Sequence, residues 1–501
     1  MKSNVNKNIM RYLYLILIVL TISSTGFSQK IKIKIDKDKF ETFKERWTLK
    51  KHIRKGKSAY KENTFASYIE AADHFRNAYE MVQDNAPLNF WLGMAYLKSK
   101  PKNWAERYIE KAYQADKTIH PKLIYYLAKA KHLNYKFDES ITLMNEFKST
   151  LTAEELGYMD EEIKKHLSEC RYAKEYIADT ARVFITRIDE INSKYDDFAP
   201  VIPPDGQKMY FTSKRPTEKK EEIYEATGQN VENIFWAGRR GREWNLNGNI
   251  SKKINTKENN AVIGLSPNGM QLILFDGKAN GGDILKTEYK NTKWRTPKDS
   301  EFGKINSSAR ESSATISYDN RALYFVSDRD DPNKIGGQDI YISTRAKSNK
   351  KWGKPLNAGG TLNSKYDEEG LFLHPSGQVI YFSSKGHTSM GGYDLFKSEL
   401  QEDGTWGTPE NLGYPINTPG DDLFFGITAN GRYGYYSSRG RDGQDYDIFE
   451  IIFLGPEKPL IQSSEDLLIA SLAEPITETV IEKSVEIKTI RLTIVKGKIY
   501  D

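Results

Sequence analysis

The sequence predicts a multidomain chain of α and β structure, an N-terminal α-solenoid followed by a five-bladed antiparallel β-propeller. Three observations predict it. Between residues 62 and about 176 glycine nearly vanishes and apolar residues recur at helical spacing. Past residue 180 a motif rich in Gly, Asp, Ser and aromatics repeats five times. A length of 501 residues also calls for about three folding units at roughly 100–200 residues each. Thirty tyrosines and eight tryptophans supply core material that a disordered chain lacks. One cysteine, Cys170, excludes an internal disulfide framework and a multi-cysteine zinc site.

Residues 1–29 read as a signal peptide. Lys2, Lys7 and Arg11 form the basic end, and Tyr12 to Ile22 is an apolar run of eleven. As a helix that run is about 16 Å long, too short for a hydrocarbon core of ~30 Å. Its removal takes three positive and no negative charges from a net +6, leaving +3. Residues 30–61 read as a basic leader, with thirteen Lys and Arg against four acids, either a solvated segment or an arm that touches anionic envelope surfaces; Ile31, Ile33 and Ile35 alternate with lysine as an edge strand also would.

Helical repeats follow over 62–176. Phe90 to Tyr96 and then Trp104, Ala105, Ile109, Ala112 and Tyr113 match the tetratricopeptide-like pattern, in which a small residue lets two helices approach. Ala71, Phe75, Ala78 and Tyr79 precede their counterparts by 34 residues, and Leu127-Ala128 follows Leu92-Gly93 by 35. Trp91, Tyr96, Trp104, Tyr108 and Tyr113 are the candidates for core positions or for a partner groove, which spacing does not separate.

The β repeats span 180–455. Each copy opens on Ile-Asn or Leu-Asn, at 191, 254, 305, 362 and 416. A turn dipeptide follows: Asp205-Gly206, Asn268-Gly269, Asp319-Asn320, Ser376-Gly377 or Asn430-Gly431, each favouring positive φ. After an aromatic strand, a third strand opens on Asp283, Asp339, Asp394 or Asp447, or on Asn233 in the first copy. Trp244, Trp294, Trp352 and Trp406 then mark a fourth strand, which the fifth copy lacks. The unclaimed segment Arg182 to Ile188 is expected to fill that place and close the ring. Residues 456–490 read as a linker, and 491–501 as the first strand of a further β domain.

A signal peptide, helical repeats and blades of the form Asp-Gly-x-x-x-Tyr-Phe-x-Ser-x-Arg resemble a family of Gram-negative, mainly Bacteroidetes-type, envelope proteins with WD40-like propellers of the TolB type. The resemblance covers 62–455. Fuller members continue into a carboxypeptidase-regulatory-like β domain, whose opening strand is similar to Val495 to Asp501, and an OmpA-like peptidoglycan-binding domain. A relative in architecture is the peptidoglycan-associated periplasmic component of type IX secretion. The resemblance implies a periplasmic or outer-membrane-associated location. It also implies outer-membrane or secretion proteins as partners; peptidoglycan binding maps onto no residue here.

Chemistry is sparsely signposted. Seven histidines are scattered, and no phosphate loop, G-x-S-x-G or nucleic-acid module occurs, so neither a cofactor nor nucleic acid is expected. His166 and Cys170 share a helix face without a third ligand nearby in sequence. Two acidic loops, around Asp328 to Asp331 and Asp442 to Asp447, read as side-chain-to-backbone turns before calcium sites. The expected function is therefore a non-enzymatic scaffold. Its rival is a glycan-binding or carbohydrate-active propeller, which needs two non-repeating carboxylates across the funnel.

Overall fold

The computed structural model describes residues 31–36, 40–216, 223–224, 229–266, 268–277, 281–348, 350–440 and 442–455. The expected signal peptide, linker and terminal strand lie outside these residues. Seven helices precede five small antiparallel sheets. The chain divides into two compact units, with the boundary between Met159 and Asp160. No helix among the described residues is long and apolar enough to cross a membrane.

The first unit is built on α1 (Phe43–Glu62), α2 (Phe65–Met81), α3 (Ala86–Lys98), α4 (Ala105–Ala115), α5 (Leu123–Leu133) and α6 (Phe137–Thr150). Its sequence neighbours pack in pairs because small residues stand where helices meet. An added Cβ at Gly56 would lie 2.7 Å from the Phe75 ring, and one at Gly93 would lie 2.4 Å from Ile109. In the third pair the Ser140 hydroxyl instead donates to the Ala128 carbonyl at 2.8 Å. Thr42 and Thr64 each close a capping box on the helix they precede. Residues 43–62, expected as part of a basic leader, are thus the first helix of the first repeat. Leu49, Ile53, Gly56 and Ala59 form its buried face, which its basic composition concealed. Residues 31–36 form no strand, and Ile31, Ile33 and Ile35 pack on the helical core.

The seventh helix, α7 (Ala153–Ala178), crosses the boundary between the units. In the second unit, β1 (Val183–Arg187) precedes the blades. Blade 1 is β2 (Asp197–Val201), β3 (Lys208–Ser213), β6 (Asn233–Arg240) and β7 (Glu243–Asn249), with a hairpin of β4 (Ile223–Tyr224) and β5 (Gln229–Asn230) between its middle strands. Blade 2 is β8 (Asn259–Leu265), β9 (Gln271–Gly277), β10 (Asp283–Lys290) and β11 (Lys293–Trp294). Blade 3 is β12 (Glu311–Ile316), β13 (Ala322–Ser327), β14 (Asp339–Thr344) and β15 (Leu356–Asn357). Blade 4 is β16 (Glu368–Leu373), β17 (Val379–Ser384), β18 (Asp394–Glu399) and β19 (Glu410–Asn411). Blade 5 has β20 (Asp422–Ile427), β21 (Tyr433–Ser438) and β22 (Asp447–Phe453), and β1 is its outer strand. That pairing is antiparallel, from Val183 opposite Phe453 to Arg187 opposite Phe449, and it closes the ring.

Candidate functional site

The innermost strands β2, β8, β12, β16 and β20 pack side by side around a central channel. What the strand starts do decides which acids remain free for chemistry. In every blade the opening asparagine clamps the preceding blade. Asn363 accepts from the Ile340 N–H at 2.7 Å and donates to the Ile340 carbonyl at 3.0 Å. Asn192, Asn255, Asn306 and Asn417 do the same to Ile448, Ile234, Ile284 and Leu395. An amide side chain has one acceptor and donors at this spacing, so it imitates a neighbouring strand.

The next residue, a Ser or Thr, meets the polar residue that opens the inner strand, four positions further on. Ser193 donates to Asp197, Ser307 to Glu311, Ser364 to Glu368 and Thr418 to Asp422, all through the hydroxyl at 2.7–2.9 Å. Blade 2 carries Asn260 opposite Thr256 instead. All four carboxylates are 0% exposed. In blades 1 and 3 an arginine completes the arrangement. Arg329 bonds Glu311 at 3.0 Å and the Ile305 carbonyl at 2.6 Å, and Arg215 bonds Asp197 and the Ile191 carbonyl. In blade 4 the ring of His387 takes that place, 3.1 Å from the equivalent Leu362 carbonyl and 5.4 Å from the Phe396 ring. Burial pushes Glu368 up to about 8 and Asp422 up to about 7, partly offset by their hydroxyl and N–H donors.

The third-strand aspartates are likewise engaged. Asp339 accepts from the Ile335 and Gly336 N–H groups and from Asn357, at 2.6–2.8 Å. Asp394 accepts from Met390 N–H at 2.9 Å and Asn411 at 2.7 Å, and burial raises it well above the usual carboxylate range. Asp447 pairs with Arg187 of the closing strand at 2.8 Å, and Asp283 opens β10 half-buried. The turn residues Asp205, Asn268, Asp319, Ser376 and Asn430 each accept from the N–H two residues on, at 3.0–3.2 Å. Their followers Gly206, Gly269, Asn320, Gly377 and Gly431 all have φ between 57° and 74°. Asp331 and Asp442 accept from backbone N–H groups of their own loops.

Trp244, Trp294 and Trp352 are buried and Trp406 is partly buried. Three of them stand edge-on to a tyrosine of the preceding blade: Trp244 on Tyr435, Trp294 on Tyr210 and Trp406 on Tyr324. Trp352 lies under Arg345, 4.0 Å from ring centroid to guanidinium carbon. In blades 3 and 4 the fourth strand is Leu356–Asn357 or Glu410–Asn411, a few residues past the tryptophan that was expected to mark it.

One mouth of the channel is apolar, lined by Pro200, Ile202, Val262, Phe372 and Ile427 among others. His374 and Tyr318 are its titratable side chains, and no carboxylate lines it among the described residues. Burial lowers His374 to about 4. His166 and Cys170, on one face of α7, are buried with Nε2 and Sγ 3.7 Å apart.

In the helical unit the five aromatic candidates separate. Tyr96 and Tyr108 are 3% exposed and stack at 5.6 Å, and Tyr113 is buried beneath Lys117, so these are core residues. Trp91 is half-buried among Tyr60, Phe75 and Phe90. Trp104 alone of the five is exposed, at 40%, with its ring against Tyr96. The recurrence of blade-opening acids such as Asp197, Glu368 and Asp422 was legible in the sequence, whereas the asparagine clamp and the Ser or Thr that joins it to them were missed. The recurring Asn-Ser/Thr dipeptide with an acid or asparagine four residues on was the available signal.

No known family matches the sequence, and no curated protein matches it. Solved structures are similar to the propeller. TolB from Acinetobacter baumannii is 15% identical over 52% of this chain and 55% of its own, with a TM-score of 0.32. The chain thus spans about half the length of that relative. A TolB from Agrobacterium tumefaciens, described as putative in its own report, is 16% identical over 54% of this chain and 97% of its own, with a TM-score of 0.28. An α-L-arabinanase from Penicillium chrysogenum is 13% identical over 53% and 97%, with a TM-score of 0.33.

Proposed function

We propose that this chain is a non-enzymatic scaffold of the bacterial cell envelope, exported through residues 1–29 and holding partner proteins by its helical repeats and propeller. In this reading 62–176 is a tetratricopeptide-like binding unit, 180–455 a TolB-type propeller, 456–490 a linker and 491–501 the start of a further β domain. The partners are outer-membrane or secretion components, as the family resemblance implies, and the location is the periplasm. The observation that carries the reading is the use made of the repeated acids. Asp197, Glu311, Glu368 and Asp422 are buried against serine or threonine hydroxyls in register. Side chains committed to holding strand starts are poorly placed to act as an acid and base on a substrate. One mouth of the channel is apolar, a surface suited to a protein segment.

The test is cross-linking of the full chain in intact cells, with a photoreactive residue in place of exposed Trp104 and, separately, of Tyr318. Reproducible adducts with the same envelope protein, lost on competition with that purified partner, support the scaffold. Absence of adducts together with an oligosaccharide-induced rise in the propeller's melting temperature overturns it in favour of a glycan site.

A further inference from the structure

Helix α1 has a second face that the helical core does not use. Phe43, Trp47, Lys50, Arg54 and Lys61 follow one another at helical spacing, along an exposed stripe flanking the buried Leu49 and Ile53. Phe43 is 76% and Trp47 53% exposed, and the Lys51 ammonium stands 5.1 Å from the Trp47 ring centre. Among the described residues no acid pairs with Lys50, Lys51, Arg54, Lys55 or Lys61. Lys50, Arg54, Lys57 and Lys61 also line an open groove whose far wall is Ile33 and Ile35.

Each half of this stripe is unfavourable in water. Like charges one turn apart repel along a helix, and two large aromatic rings stay hydrated. One environment offsets both: anionic headgroups over an apolar layer. Lysine and arginine reach phosphates with their ammonium and guanidinium heads while their stems lie on the acyl boundary, and Trp is at home at that depth. A soluble polyanion supplies the charge without the apolar layer. We propose that the outward face of α1 docks in the plane of a bilayer surface bearing anionic lipids, with Phe43 and Trp47 at the acyl boundary and the basic stripe on the phosphates. The inference stands on α1 alone and does not depend on the scaffold reading.

The experiment is flotation of the full chain with phosphatidylcholine vesicles that contain or lack phosphatidylglycerol. Binding is expected only when phosphatidylglycerol is present, and it weakens with salt. Lys50→Gln/Arg54→Gln/Lys61→Gln loses on the order of a hundredfold in affinity, at about fivefold for each basic residue removed. The reversal Lys50→Glu/Arg54→Glu/Lys61→Glu doubles the change in charge and loses more, and the milder variant guards against a folding defect. Phe43→Ser/Trp47→Ser loses about tenfold and keeps its salt response. No binding by the parent, equal binding to neutral vesicles, or indifference to the charge variants overturns the proposal. Binding that polyglutamate displaces and that Phe43→Ser/Trp47→Ser leaves unchanged overturns it in favour of an acidic protein partner.

Discussion

Blades 1 and 3 and blades 4 and 5 bury the same strand-opening carboxylate in two electrostatic settings. Asp197 and Glu311 face Arg215 and Arg329, whereas Glu368 and Asp422 have the same Ser or Thr donor and, among the described residues, no arginine. Where the arginine side chain would begin, blades 4 and 5 carry Gly386 and Gly440. An added Cβ at Gly386 would lie 2.1 Å from the Ser364 hydroxyl. The difference teaches that the hydroxyl and N–H donors hold the strand start, while the arginine compensates charge. Without the cation a proton does that work, and blades 4 and 5 become sensitive to pH.

Removing the cation from blade 3 is the strongest way to break this comparison. Arg329→Met leaves Glu311 buried without a counter-charge and is expected to cost about 3–5 kcal/mol. Chemical denaturation of the propeller transition measures it. A loss below about 1 kcal/mol would show that the serine contacts suffice and that the arginine is incidental.

The pH dependence of blades 4 and 5 comes next. Glu368 and Asp422 are raised to about 8 and about 7 from ordinary values of 4.5 and 3.8. The folded state therefore holds these protons more tightly than the unfolded chain. Their stabilisation is full below the ordinary carboxylate values and is lost as pH rises through about 7 and about 8. Glu368→Gln/Asp422→Asn should flatten most of that fall, on the order of a few kcal/mol, when melting temperature is followed against pH. A parent slope that survives in the double variant would assign the sensitivity elsewhere, with buried Asp394 the next group to replace.

Asn363→Ala removes both bonds of one clamp, which is 2% exposed, and should cost about 2 kcal/mol in the same denaturation assay. An equal loss for Asn306→Ala, at the half-buried clamp between blades 2 and 3, would mean that burial does not set the clamp's worth. The smallest effect belongs to the turns. Gly377 has φ of 74° and open space where a Cβ would go, so Gly377→Ala should cost about 1 kcal/mol through backbone strain alone. A larger loss would point to a tertiary contact at this hairpin.

Much of this fold was legible because its signals are local. Asp205-Gly206 and its four counterparts advertise their turns through residues that accept positive φ and cap the next N–H. The five opening asparagines were equally visible as a recurrence, yet their role was not. Asn192 acts on Ile448, 256 positions away, and nothing in the spacing of a repeat names the neighbour that a side chain reaches. Helix α1 was hidden for a different reason. Its lysines dominate the composition, while the buried face of Leu49, Ile53, Gly56 and Ala59 is narrow and gains meaning only against Phe75 and its neighbours.

The sequence by itself determined the succession of helical repeats and five blades, and the unclaimed strand left over to close the ring. Turn chemistry, helical spacing and strand alternation are set by sterics within a few residues, so they repeat wherever the residues repeat. Only the tertiary structure decided which aromatics of the helices are core, with Tyr96 and Tyr108 inside and Trp104 exposed. It alone set His387 in the place of an arginine and left Glu368 and Asp422 buried, without one among the described residues. Burial and charge compensation depend on what distant segments bring to the same point, and that is settled only when the blades pack.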